Sequence, residues 1–124
     1  MMSRFAKSFR DLDIWQLAVD IAKTTYKAAG ALPTNEQYAL GSQMKRAGIS
    51  LSANIAEGFR RRRQKEFRQF LHVALGSAAE LETYCELCHA LFDGSSPDTA
   101  QLLEQLDRFE RMTNAMIGTL KTSR

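Results

Sequence analysis

The feature that most constrains this chain is a three-and-four-residue recurrence of apolar side chains, broken at only three places. Ile14, Trp15, Ala18, Ile21, Ala22 and Ala29 recur at that spacing, which lines one face of a 3.6-residue helix and no face of a strand. Gly30 and Pro33 follow; glycine accepts the left-handed position beyond a helix end, and proline cannot extend the ladder. The spacing predicts a first helix over 13–29, capped by Asp11 or Asp13. A second stripe runs through Leu40, Met44, Ala47, Leu51 and Ile55 and ends at Glu57 before Gly58. Thr34 and Gln37 stand at capping-box spacing with Glu36 in the first turn, so the second helix is predicted over 35–57.

The third pattern, over 64–92, is the longest and most apolar and includes Phe67, Leu71, Ala74, Ala78, Leu81, Cys85 and Cys88. Its small residues Ala74, Gly76, Ser77, Ala78 and Ala79 predict close approach of another helix there. Asp93, Gly94, Ser95, Ser96 and Pro97 read as a loop, with Ser96 or Asp98 as the next cap. A fourth helix over 98–121 carries the seam Leu102, Leu106, Phe109, Thr113, Met116 and Leu120. Residues 1–10 have no period and read as an N-terminal arm, with Phe5 and Phe9 among cations. Four amphipathic helices with short connections in 124 residues leave room for one core, so the expected fold is all-α. It is an antiparallel up-down-up-down four-helix bundle forming a single domain over 1–124.

Composition matters most for where the charge lies. The formal net charge is +3, yet the segment from Arg60 to Arg68 has six basic residues and one acid, a local +5 that leaves −2 for the rest. A focused patch of that kind attracts phosphate-rich partners better than a diffuse one. Arg60, Arg61, Arg62, Arg63, Lys65 and Arg68 crowd the connection into the third helix and its first turn, where the helix dipole disfavours cations. Such a local conflict points to function. Arginine predominates, which suits bidentate contact with phosphate. Lys45 and Arg46 are candidates for the same surface. The N-terminus lacks the apolar stretch of a signal peptide, and no uncharged run reaches the roughly 18 residues of a membrane span. Two cysteines cannot build a disulfide framework. A cytoplasmic protein without membrane association is the expectation.

Cys85, Cys88 and His89 match the C-x-x-C-H form that attaches c-type haem, but the motif lies inside a helix and no export signal precedes it. Buried packing of both thiols is the preferred reading, and neither a metal nor another cofactor is expected. His72 has no evident partner, and Glu86 with His89 gives one E-x-x-H where a di-metal bundle needs two. No nucleophile, base and orienter can be nominated, so the chain is not expected to be an enzyme. Asn54 and Glu57, beside the second apolar stripe, are read as a hydrogen-bonded structural pair at the helix end.

Several segments together resemble a known family. They are Asp11-Leu12-Asp13-Ile14-Trp15-Gln16, Gln43 with Arg46-Ala47, Ser52-Ala53-Asn54-Ile55-Ala56-Glu57-Gly58-Phe59, and Phe70-Leu71 with Ala74, Gly76-Ser77 and Glu80-Leu81-Glu82-Thr83. At this spacing, over about residues 9–121, they resemble the four-helix-bundle proteins encoded within intervening sequences of bacterial large-subunit ribosomal RNA genes. A related branch is the accessory protein of diversity-generating retroelements, a five-membered barrel that binds nucleic acid and a reverse transcriptase. The resemblance implies a homopentamer that associates with RNA or an RNA–DNA hybrid without catalysis. Its alternative is a scaffold or accessory subunit for a nucleic-acid-handling enzyme. The run Arg60–Arg63 is more basic than the family's usual segment after Asn54-Ile55-Ala56-Glu57-Gly58.

Overall fold

In a computed structural model describing residues 6–92 and 96–120, the apolar periodicity becomes four long helices. These are α1 (Asp13–Gly30), α3 (Leu40–Arg60), α4 (Gln64–Leu91) and α5 (Pro97–Thr119); α2 (Thr34–Gln37) is a single turn, and a 3-10 turn, Phe9–Asp11, precedes α1. The first five residues of the expected arm, Asp93 to Ser95 of the expected loop, and residue 121 of the expected fourth helix lie outside the described residues. Each long helix packs against the next, and α5 closes the ring against α1. Cross-helix pairs run in opposite sense: Gly41 meets Ala29 and Gly48 meets Thr25 between α3 and α1, while Met44 meets Cys88, Ser50 meets Ser77 and Gly58 meets Phe70 between α3 and α4. The molecule is an all-α four-helix bundle.

The stripes read from the sequence form its core. Ile21, Met44, Leu51, Phe67, Leu81 and Phe109 are among the fully buried side chains, each stabilising the fold by roughly 1.5–3 kcal/mol through lost water contact. Buried Thr25 is satisfied within its own helix, its hydroxyl donating to the Ile21 carbonyl at 2.7 Å. Ser96 caps α5, accepting from the Thr99 amide at 3.1 Å, with Pro97 at the first helical position.

Several local expectations differ from what forms. The segment expected as one helix over 35–57 is split at Tyr38 and Ala39. Thr34 is no cap, and Gln37 instead donates its side-chain amide back to the Gly30 and Leu32 carbonyls at 3.1 and 3.0 Å. Gln37 is thereby committed to the end of α1 rather than to the start of a long helix. Asp11 does not cap α1, whose N-cap is Leu12. It closes a capping box with Ser8 around the 3-10 turn, accepting from the Lys7 and Ser8 amides at 3.0 and 3.1 Å. The close approach expected along the small residues of α4 is made by Ala74, Ser77 and Ala78, with the Ser77 hydroxyl in contact with that of Ser50 on α3. It is not made by Gly76, which is exposed with nothing within 4 Å of an added Cβ; the tightest glycine contacts are Gly48 against Thr25 and Gly58 against Phe70. Gly76 lies on the outer face of α4, while Gly48 and Gly58 lie on the packed faces of α3.

Asn54 and Glu57 do not pair with each other. The Asn54 amide donates to the Ser50 carbonyl at 2.8 Å and to its hydroxyl at 2.9 Å, and the Ser50 hydroxyl lies 2.8 Å from that of Ser77 on α4. One helical turn later Glu57 points to solvent and accepts from Arg61. Asn54 thus joins a polar clasp between two helices, as a half-buried amide requires.

Candidate functional site

The connection from α3 to α4 is three residues long and contains neither glycine nor proline. The chain reverses through Arg62, whose φ of 65° is the left-handed conformation, while Arg63 is extended and stands as the N-cap of α4 without a side-chain cap bond. Phe59 anchors one side of the bend by an edge contact with Phe67, the ring centroids 6.0 Å apart.

This backbone path sends the arginines in different directions. Arg61 donates to Glu57 at 2.9 Å and lies 3.9 Å from Glu66, and Arg63 lies 3.6 Å from the same Glu66. The hydrogen bond from Arg61 to Glu57 pushes the guanidinium pKa further up. Arg60 and Arg62 turn the other way, towards the 3-10 turn, and line a groove of about 350 Å³ together with Lys7 and Arg10. Lys65 is exposed in the first turn of α4, and Arg68, one turn on, is half-buried with its Nε out of water and without a hydrogen-bond partner among the described residues. Across 57–68 six cations face two carboxylates, Glu57 and Glu66, a net +4.

Lys45 and Arg46 do not join this surface. Arg46 precedes Arg60 by fourteen residues of continuous helix, about 21 Å at the usual rise. The Lys45 ammonium lies over the Tyr26 ring at 5.0 Å, facing α1. Lys7 and Arg10, by contrast, do join it and were not singled out in the sequence, because the arm has no period to orient them. The available signal was local: Ser8 and Asp11 stand at capping-box spacing around Phe9, which marks a folded turn between the two cations.

The C-x-x-C-H segment is part of the core. Cys85 is fully buried and Cys88 nearly so, with the Cys88 sulfur 3.9 Å from that of Met44. Burial, followed by the neighbouring Cys88 and Glu86, pushes the Cys85 thiol up to about 12. His89 Nε2 lies 3.0 Å from the Thr99 hydroxyl, joining the end of α4 to the start of α5. No three His, Cys, Asp or Glu side chains cluster as metal ligands would among the described residues, and no helix there is long and apolar enough to cross a membrane.

The model of one family, described as 23S rRNA-intervening sequence protein, matches residues 10–115. The chain belongs to that family. The matched span begins at Arg10 and takes in the whole bend. The fold is similar to that of a protein of unknown function from the S23 ribosomal protein family of Bacteroides thetaiotaomicron, with a TM-score of 0.77 at 20% identity over 86% of this chain and 96% of that one. At that identity the likeness is one of fold. No curated protein matches the chain.

Proposed function

We propose that this member of the intervening-sequence family is a non-catalytic nucleic-acid-binding protein, with RNA as its first ligand, that acts as a homo-oligomer. The observation that carries the reading is the net +4 held at one end of the bundle, where a bend fixes the backbone and Arg60, Arg62, Arg63 and Lys65 stand exposed. Phosphates are recognised there by charge and guanidinium geometry, and sequence readout is not implied. The family's description names an intervening sequence of 23S rRNA rather than a ligand, and RNA is accordingly the polyanion to test first. Leu87 and Leu91, neighbours one turn apart on α4 and 38% and 64% exposed, are the apolar surface that self-association would cover. A pentamer, at five times the 14.0 kDa chain mass, is the assembly we put forward for light scattering to check.

The test is the salt dependence of binding to a labelled single-stranded RNA. Each phosphate neutralised adds roughly 0.7 to the log–log slope. Changing Arg60, Arg61, Arg62 and Arg63 together to alanine flattens the slope if the bend is the contact; an unchanged slope refutes it. RNA affinity absent from the native protein would leave the accessory-subunit reading in its place.

A further inference from the structure

The N-terminal turn and the end of α3 converge on one groove, and its construction is more specific than a basic surface. Lys7 and Arg10 enter from the turn, and Arg60 and Arg62 from the helix end and the bend. Phe9 lies among them. The Arg10 guanidinium carbon is 4.5 Å from its ring centroid and that of Arg60 is 5.3 Å away. The ring is itself fixed, 5.4 Å from Trp15 between centroids. Arg10 is further held by a 3.2 Å hydrogen bond from Nη1 to the Ser8 hydroxyl. Two guanidinium groups from distant parts of the chain are therefore set in place by one aromatic ring before any ligand arrives, which lowers the ordering cost of binding.

No cation lining the groove is ion-paired with a carboxylate among the described residues, and the negative charge kept by Asp11 in the turn leaves the four cations in excess. None of its described lining residues is acidic. The nearest acid in the turn, Asp11, is committed to the Lys7 and Ser8 amides. Four cations around a groove of about 350 Å³ exceed what one singly charged phosphodiester would neutralise.

We propose that this groove is a binding site for two closely spaced phosphate groups, taken from a nucleic-acid backbone and completed by Lys7 and Arg10 of the N-terminal turn. The site deepens the nucleic-acid reading and, as regards its ligand's source, rests on it. Phe9 is a positioning residue: its ring is occupied by guanidinium groups, so it orders the cations and does not stack on bases.

Two measurements on the full chain separate the claims: the salt slope for single-stranded RNA, and the thermal shift produced by inorganic pyrophosphate. Lys7→Ala with Arg10→Ala lowers the RNA slope by roughly 1.4, two contacts at about 0.7 each, and abolishes the pyrophosphate shift. Lys23→Ala with Lys27→Ala, a charge-matched pair of exposed sites on α1, leaves both unchanged. If the control pair flattens the slope equally, or if the Lys7 and Arg10 changes do nothing while Arg60→Ala with Arg62→Ala flattens it, the groove proposal is overturned and the nucleic-acid reading stands. A pyrophosphate shift that depends on Arg10, in a protein with no RNA affinity, supports the site but assigns it to a free diphosphate and overturns the nucleic-acid source. Phe9→Leu retains every charge, so it weakens RNA binding about two- to fivefold at an unchanged slope, and Phe9→Tyr restores it; a Leu variant with native affinity removes the positioning role.

Discussion

Replacing Gly58 by alanine tests the packing of the bend most directly. A Cβ there would stand 2.6 Å from the Cβ of Phe70 and 3.0 Å from Cδ1 of Phe67, about 1 Å inside the 3.5–4.0 Å at which carbons sit comfortably. The Phe70 atom is attached directly to the α4 backbone, so relief requires the two helices to separate. Overpacking of that kind costs about 1–3 kcal/mol. Gly58 lies in the last turn of α3, so only part of the ~1 kcal/mol helix-propensity gain of alanine over glycine offsets this. Gly76 is the matched contrast, exposed in mid-helix with nothing within 4 Å of the new atom. Gly76→Ala therefore stabilises by about 0.5–1 kcal/mol, whereas Gly58→Ala destabilises by about 1–2 kcal/mol. Urea unfolding followed by far-ultraviolet circular dichroism reads both. Phe70→Ala gives no rescue, because it leaves the clashing Cβ in place. A Gly58→Ala protein as stable as the native one, or less perturbed than Gly76→Ala, would show the helices to be further apart at the bend than described.

Two further expectations concern titrating groups. Burial, and after it the neighbouring Glu82 carboxylate, raise the Glu110 carboxyl above its ordinary 4.5, so the folded state holds that proton more tightly than the unfolded chain. Stability from this group is greatest below the unfolded value and is lost as pH rises through the folded one. Glu110→Gln consequently stabilises the protein at neutral pH by a few tenths of a kcal/mol, the partly exposed pair being screened by solvent; the gain shrinks below about pH 4.5 in denaturant titrations at each pH, and a constant gain would contradict the assignment. Cys85, pushed up from 9.0 to about 12, carries about a thousandfold less thiolate than an ordinary cysteine. Iodoacetamide at mildly alkaline pH leaves it unlabelled until urea unfolds the chain, and rapid native labelling would place it outside the core.

The helices were legible because burial on one side of a rod writes itself into residue spacing: Met44, Leu51 and Ile55, or Leu102, Leu106 and Phe109, are core in sequence and in space. What stayed illegible depends on side chains making a choice that spacing does not record. Gln37 fits a capping box and serves the preceding helix end instead. Glycine marks close approach at position 58 and open solvent at position 76, a difference decided by which face each occupies. The basic run was plain in the sequence, but its division was not, since it follows from one left-handed residue at Arg62. Lys7 and Arg10 entered the site only through the folded turn between them.

That residue sets two kinds of laboratory selection against each other. An L side chain in such a conformation is disfavoured by roughly 1 kcal/mol, and glycine is free of the penalty. A library screened for heat tolerance alone would drift towards glycine at codon 62 and discard a groove cation, whereas one screened for capture of a polyanion would keep the strained arginine.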